Sequence, residues 1–422
     1  MKKFLSVLLT VVLLASFAAV AGAEEKTTIT VWCWDPAFNI YAMNEAAKVY
    51  AQINPDVEIE VIEVASNDCE TRQTAAFISG QMDDLPDIVL MQDNSGQKFL
   101  STYPGMYYDL TDKIDYSNFA DFKVNYFVSE GRNYAVPFDN GCAAMFIRTD
   151  ILEEAGYTLA DVTDITWSRF IEIGKDVKEK TGVPILTCEM GFADFLMMIP
   201  QSAGTWYFDE EGNPNIAGNE VLKATLETIK QMADAGIVYE AVDWAEYIST
   251  LNTGKAASTI QGCWILGSVV LAEDQAGKWG VTNIPRLDNI EGATNYSNQG
   301  GSSWLVLANS ENAEIAADFL NQTFAGSTEF YQTILKSSGA IATYLPAAEG
   351  EAYAAPHDFF GGQAVFADIM EFSAQIPKVE LRLYNYEARD ALRDALQAYR
   401  DGGDLDSLMQ EAQDTVEFLM ME

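Results

Sequence analysis

Short β-forming runs alternate with helix-patterned stretches along almost the whole chain, and this alternation restricts the fold more than any single motif. Thr28-Ile-Thr-Val-Trp, Val57-Glu-Ile-Glu-Val-Ile, Asp87-Ile-Val-Leu-Met and Val183-Pro-Ile-Leu have strand-like length and composition. Between them lie helical patterns with clear ends. Trp167, Phe170, Ile173 and Val177 recur at helical spacing, with Gly182 as a stop. Asn219 is placed to cap a helix burying Leu222, Leu226 and Ile229, and Gly236 ends it. Ile315, Phe319 and Leu320 mark another helix, and Glu387 to Met420 is almost wholly helix-forming. The class is α/β.

At 422 residues the chain exceeds a usual single core, so two domains are expected. No Gly/Ser-rich or Pro-rich linker separates them. Two domains without a linker imply that the chain passes between lobes along strands, which builds a hinged cleft. The first 23 residues form no part of that scheme. Lys2 and Lys3 precede an apolar run from Phe4 to Val20, and Ala21-Gly22-Ala23 supplies a small-x-small cleavage pattern, so a leader cleaved after Ala23 is expected. The first cysteine is Cys33, so no lipid-bearing cysteine stands at that point.

The formal net charge is −38, and loss of the two leader lysines makes it −40. So acidic a surface repels phosphate backbones and anionic lipid, which argues against nucleic-acid or membrane-surface partners. The five cysteines (33, 69, 142, 188 and 263) show no CxxC or metal-like spacing, and His357 is the only histidine. The thiols read as small buried hydrophobes and the histidine as a solvated loop residue, with neither metal nor cofactor implied. GxSxG, HExxH, Walker and GxGxxG motifs are absent. Asp209-Glu-Glu-Gly-Asn213 reads as an acidic hairpin turn and not a calcium loop.

Aromatic residues stand beside short polar ones at apparent strand ends: Trp34-Asp35, Asp93-Asn94, Phe138-Asp139-Asn140-Gly141, Gln261-Gly262-Cys263-Trp264 and Gly300-Gly301-Ser302-Ser303-Trp304. Sugars present flat CH faces and a rim of hydroxyls. Aromatic rings cover the faces, and carboxylates and amides bond the rim. Each element has a plainer reading as core packing or a turn cap. Their repetition at strand exits favours a ligand cleft.

In order and spacing, these segments resemble the extracellular solute-binding proteins of carbohydrate ABC transporters, the maltose-binding-protein-like group. Ile29-Thr-Val-Trp-Cys-Trp, Leu85-Pro-Asp-Ile-Val, Tyr134-Ala-Val-Pro-Phe, Thr166-Trp-Ser-Arg-Phe, Gly254-Lys-Ala-Ala and Ser303-Trp-Leu-Val-Leu-Ala carry the likeness, which runs over essentially all of the chain after the leader. The resemblance implies a two-lobed periplasmic-binding-protein type II fold with three interlobe crossings, expected near Phe138, Ile284 and Ser327. Residues 24–137 and 284–326 would then form one lobe, and 138–283 and 327–422 the other. It implies a carbohydrate ligand, an ABC permease as partner, a monomer, and a periplasmic or extracellular setting. Carried over by position, the ligand-binding set is Trp34, Asp35, Asp93, Asn94, Asp139, Asn140, Asp194, Trp264, Ser302, Trp304 and Tyr384. Trp264 and Tyr384 would stack on sugar, and Asp35, Asp93 and Asp139 would accept from hydroxyls. Two other readings stay open on sequence: a secreted glycoside hydrolase using paired carboxylates, and the same fold holding a non-sugar solute such as a polyamine.

Overall fold

The computed structural model describes residues 26–36 and 38–421; the expected leader lies outside them. The strands, in chain order, are β1 (Thr27–Cys33), β2 (Val57–Glu63), β3 (Ile88–Gln92), the small hairpin β4 (Val128–Ser129) and β5 (Arg132–Asn133), and β6 (Ala135–Pro137). Then follow β7 (Cys142–Arg148), β8 (Leu186–Glu189), β9 (Val238–Ala241), β10 (Ser258–Gly262), β11 (Trp279–Thr282), β12 (Ser297–Asn298) and β13 (Ser302–Val306). They form two large sheets. One has the order β2-β1-β3-β13-β6, and the other β11-β7-β10-β8-β9, with β12 also on β7.

In the first sheet β1 runs parallel to β2 and β3, and β13 runs antiparallel to β3 and β6. The second is built similarly, with β10, β8 and β9 parallel and β7 antiparallel to β10 and β11. Strands covered on both faces read as unbroken apolar runs. That accounts for Ile88–Met91 in β3 and Cys142–Ile147 in β7, all buried. Parallel neighbours collect their carboxyl ends along one edge, and ligands of open α/β sheets lie outside that edge.

The helices begin and end where local chemistry dictates. Thr166 Oγ1 accepts from Arg169 N and starts the helix Trp167–Thr181; Gly182, at φ +77°, ends it in a conformation that costs other residues energy. Asn219 Oδ1 accepts from the N–H groups of Val221 and Leu222, both at 3.1 Å, and caps Glu220–Asp234. The C-terminal stretch is two helices, Asn385–Arg400 and Leu405–Leu419. Asp209 caps its own tight turn by accepting from Asn213 N at 2.8 Å, and Phe208 bridges to Pro214 as a short hairpin. All five cysteines are buried free thiols.

The chain changes sheets at Phe138–Gly141, between β6 and β7. The next change falls at Gln299–Gly301 and not near Ile284, because β12 still pairs with β7. Asn295 Nδ2 donates to the carbonyls of Ile284 and Ile165, which keeps the intervening loop on the second sheet's side. Ser327 is likewise not a crossing. Its Oγ accepts from Phe330 N at 3.1 Å and caps the helix Thr328–Ser338, which packs on Asn39–Ile53 beside the first sheet. The chain passes over after that helix: Ile341 O accepts from Asn140 N at the first crossing, and Gln363 Nε2 reaches Val281 O on β11. Polar two-residue strands and helix caps carry no hydrophobic period that could have corrected the positions carried over from the resemblance, which fall earlier in the chain than these changes.

Candidate functional site

Between the sheets lies a cavity of about 1080 Å³. The first sheet supplies Trp34 and Asp35 beyond β1, with Gln92 and Asn94 where β3 gives way to the helix Asp93–Thr102. The crossings supply Asp139, Gln299, Gly300, Gly301 and Ser302; the second half of the molecule supplies Asp194, Trp244, Trp264, Tyr386 and Arg389.

Two networks set this geometry. At the crossings, Asp139 Oδ1 accepts from Ser302 N at 2.7 Å and Ser302 Oγ at 2.5 Å, tying the first passage to the second. On the far wall, Asp194 accepts from Gln261 Nε2 at 2.7 Å and Gln299 Nε2 at 2.6 Å. Burial pushes the Asp194 carboxyl above its usual value, while Gln261 and the Arg389 charge oppose this. Gln299 also accepts, through its main-chain oxygen, the Trp264 indole N–H at 2.9 Å. One crossing residue therefore holds both a carboxylate and an aromatic ring of the cleft wall. Trp264 leans on Trp244, ring centroids 5.8 Å apart. Tyr386 and Arg389 share a helix face at i,i+3 spacing, and the guanidinium stands 4.7 Å from the Tyr386 ring centroid.

The same helix reaches back across the cleft. Tyr386 donates its hydroxyl proton to Gln92 Oε1 at 3.2 Å, Asn385 Nδ2 donates to Asn94 O at 3.4 Å, and Lys98 pairs with Glu387 at 3.3 Å. Asp35 lines the cleft and also shapes the turn before Asn39–Ile53, accepting from Phe38 N at 3.1 Å.

Of the residues singled out from sequence, Trp34, Asp35, Asn94, Asp139, Asp194, Trp264 and Ser302 line the cavity. Four do not, and each has a physical reason. Asp93 is buried beneath the crossings, ion-paired with the fully buried Lys123 and accepting from Ser303 Oγ at 2.9 Å. Burial pushes its carboxyl up to about 6, with Lys123 and Ser303 opposing and the Asp139 charge adding to the rise. Asn140 is spent within the crossing, accepting from Cys142 N at 2.8 Å and donating to the Ser373 hydroxyl at 2.7 Å. Trp304 is fully buried between Phe138 and Phe324, centroids 5.5 and 5.3 Å away. Tyr384 immediately precedes the helix Asn385–Arg400 and is off the wall; Tyr386, two residues on, is the aromatic that lines it.

His357 is not a solvated loop residue either. It is half-buried, packed against Phe360 and Phe366, and lines the cleft. Sequence reasoning also passed over Gln299, Trp244 and Arg389. The first stands immediately before the flagged Gly300-Gly301 pair. Trp244 follows β9, a strand whose Val238-Tyr-Glu-Ala sequence is too short and mixed to announce itself. Arg389 could be found only from the helix phase shared with Tyr386.

Two α/β halves joined by crossing segments, with an aromatic and hydrogen-bonding cavity between them, define a two-lobed solute receptor. Residues 45–361 match the family model described as bacterial extracellular solute-binding protein. The chain is 42% identical over 402 residues to a lactose-binding protein of Rhizobium radiobacter, covering 95% of this chain and 94% of that one. It is 26% identical over 319 residues to an arabinooligosaccharide-binding protein of Bacillus subtilis (strain 168), covering 73% and 71% of the two chains. Among solved structures, the sugar-binding protein MalE of Xanthomonas citri matches with a TM-score of 0.78 at 16% identity, over 94% of this chain and 98% of that one. The binding protein of B. animalis subsp. lactis Bl-04, solved with β-1,6-galactobiose, matches at 0.73 and 22% identity, over 93% and 97%. At such identities the two structures speak to fold alone. The chain belongs to the bacterial extracellular solute-binding proteins, and it is a binding protein, not an enzyme.

Proposed function

We propose that the chain captures a neutral sugar in the cavity between its lobes and delivers it to an ABC importer permease. The observation that carries this reading is the pairing on one wall system of Trp34, Trp264 and Tyr386 with Asp35, Asn94, Asp194 and Arg389. Rings bury the apolar face of a pyranose while carboxylate, amide and guanidinium groups bond its hydroxyls. A polyamine would suit the acidic groups but would gain less from the rings and would face Arg389. The name of the 42%-identical relative makes lactose the first sugar to try. The receptor works outside the cytoplasmic membrane, in the periplasm or the extracellular space, and as a monomer.

A thermal-shift screen of lactose, maltose, arabinooligosaccharides and spermidine tests the reading, because a ligand bound only by the folded state raises the midpoint by mass action. A rise with a sugar and none with spermidine is expected. No rise with any sugar at millimolar concentration would overturn it. Light scattering with and without the sugar checks the monomer.

A further inference from the structure

Gln299 opens the second passage between the sheets, directly after β12, and is 8% exposed. Its N–H donates to Gly141 O of the first passage at 2.6 Å, its carbonyl accepts the Trp264 indole N–H, and its Nε2 donates to Asp194. Its remaining polar atom, Oε1, is buried and accepts from no group among the described residues. The amide cannot turn round to use it, because Oε1 would then face the Asp194 carboxylate, itself an acceptor. The side chain is therefore oriented by Asp194 and by nothing else.

The surroundings are close-packed. A methyl group on Gly141 would overlap the carbonyl oxygens of Gly300 and Gln299, and one on Gly262 would overlap the Gln299 oxygen and the Trp264 indole nitrogen. Asn140, beside Gly141, donates its N–H to Ile341 O, which brings in the third passage. A displacement of Trp264 or Asp194 is thus passed to the crossings and not absorbed locally. A ligand shifts an equilibrium between lobe arrangements only as far as it binds them differently. Groups bonded to the crossings change place when the crossings turn, and Asp194 and Trp264 are so bonded through one residue.

We propose that Gln299 is a positioning residue that couples ligand capture to lobe closure: it holds Asp194 and Trp264 in fixed places relative to the crossings, so that a sugar pulling on this wall turns the hinge. This inference rests on the sugar reading above and adds to it the link between ligand and closure.

Gln299→Met tests it in the full chain. Methionine keeps the length of the side chain and the main-chain oxygen that holds Trp264, and Asp194 keeps its bond from Gln261. Calorimetry should show lactose bound at least about tenfold more weakly, the loss expected when a hydrogen bond to a charged group goes. In an Asp194→Asn background the same substitution should cost less than about threefold, because a positioning residue acts only through the group it positions. With lactose saturating, small-angle scattering should show a clearly smaller compaction in the variant than in the wild type, which a plain loss of affinity would not give. Gln299→Asn, one methylene too short to reach Asp194, carries the same comparisons if the methionine variant does not fold. An equal loss in both backgrounds, or full compaction of the saturated variant, would overturn the coupling and spare the sugar reading. Where lactose does not bind, the maltose or arabinooligosaccharide that raises the midpoint in the screen above takes its place. If no sugar binds the wild type, the sugar reading falls and takes the inference with it.

Discussion

Lys123→Met probes the most heavily buried ion pair among the described residues. Lys123 is 1% exposed and its partner Asp93 is 1% exposed, directly under Gly301 of the crossing and Ser303 of β13. Methionine keeps the length of the side chain and removes its charge. Asp93 would then keep only Ser303 Oγ as a hydrogen-bond donor, with the Asp139 charge nearby. Removing one partner of a buried pair costs about 3–5 kcal/mol, because the remaining charge is neither solvated nor matched. With an unfolding entropy of ~2.1 cal/mol/K per residue over about 400 residues, that corresponds to a Tm lower by roughly 5 °C. The loss should depend on pH. In the native protein the Asp93 carboxyl is already raised to about 6, so folding favours its protonated form and this group costs stability increasingly as pH rises from about 4 to 6. Without Lys123 the folded-state value rises further. The deficit of the variant relative to wild type should therefore be larger at pH 8 than at pH 5. The double variant Lys123→Met/Asp93→Asn should recover most of the loss. Denaturant titrations at pH 5 and 8 measure all three proteins. A deficit below about 1 kcal/mol that is the same at both pH values would refute the argument, since the pair would then behave as a solvated surface contact.

Gly301→Ala should destabilise by at least about 2 kcal/mol, because φ is +101° and the new methyl would stand 2.7 Å from Asp93 Oδ2 and 2.8 Å from Lys123 Nζ; an unchanged unfolding midpoint would show that the crossing has room. Trp264→Ala should weaken sugar binding by about 1–3 kcal/mol with the fold retained, measured by calorimetry and circular dichroism; normal affinity would make the indole a prop for Gln299 and nothing more. Small-angle scattering should give a smaller radius of gyration with saturating sugar than without, as rigid halves closing on the crossings require; superimposable profiles would remove the hinge. Thiol titration of the unfolded, unreduced protein should find five free groups; three or fewer would mean that a disulfide forms.

How far these features could be read in advance depended on whether the signal was local. The alternation of strand and helix patterns was enough for the α/β class, because burial of a strand on both faces or of one helix stripe leaves its mark on adjacent residues, and chain length was enough to expect two domains. Gly182, and Asn219 with Gly236, marked helix limits for the same reason, since helix ends are set by neighbouring backbone groups, whereas the Thr166 cap was seen only in the structure. The aromatic-polar pairs at Trp34-Asp35 and Gln261 to Trp264 were legible too, since strand exits along a parallel edge converge on one crevice.

What sequence could not decide was which polar or aromatic residue at a strand end faces the cavity and which turns inward. Asp93 and Asn94 are neighbours, yet Asn94 lines the cleft while Asp93 meets Lys123, a lysine 30 residues away. Ser302 and Trp304 lie on one strand. Ser302 reaches the cleft beside Asp139, and Trp304 is taken into the Phe138–Phe324 cluster that closes the core beneath the crossing. The crossings near 299 and beyond 339 were equally hidden. Pairing of a two-residue strand such as β12 is decided by hydrogen bonds to β7, more than 150 residues away in the chain. Local periodicity records the burial of an element. The orientation of a single side chain, and the sheet a short segment joins, are settled by partners that only the folded chain brings into reach.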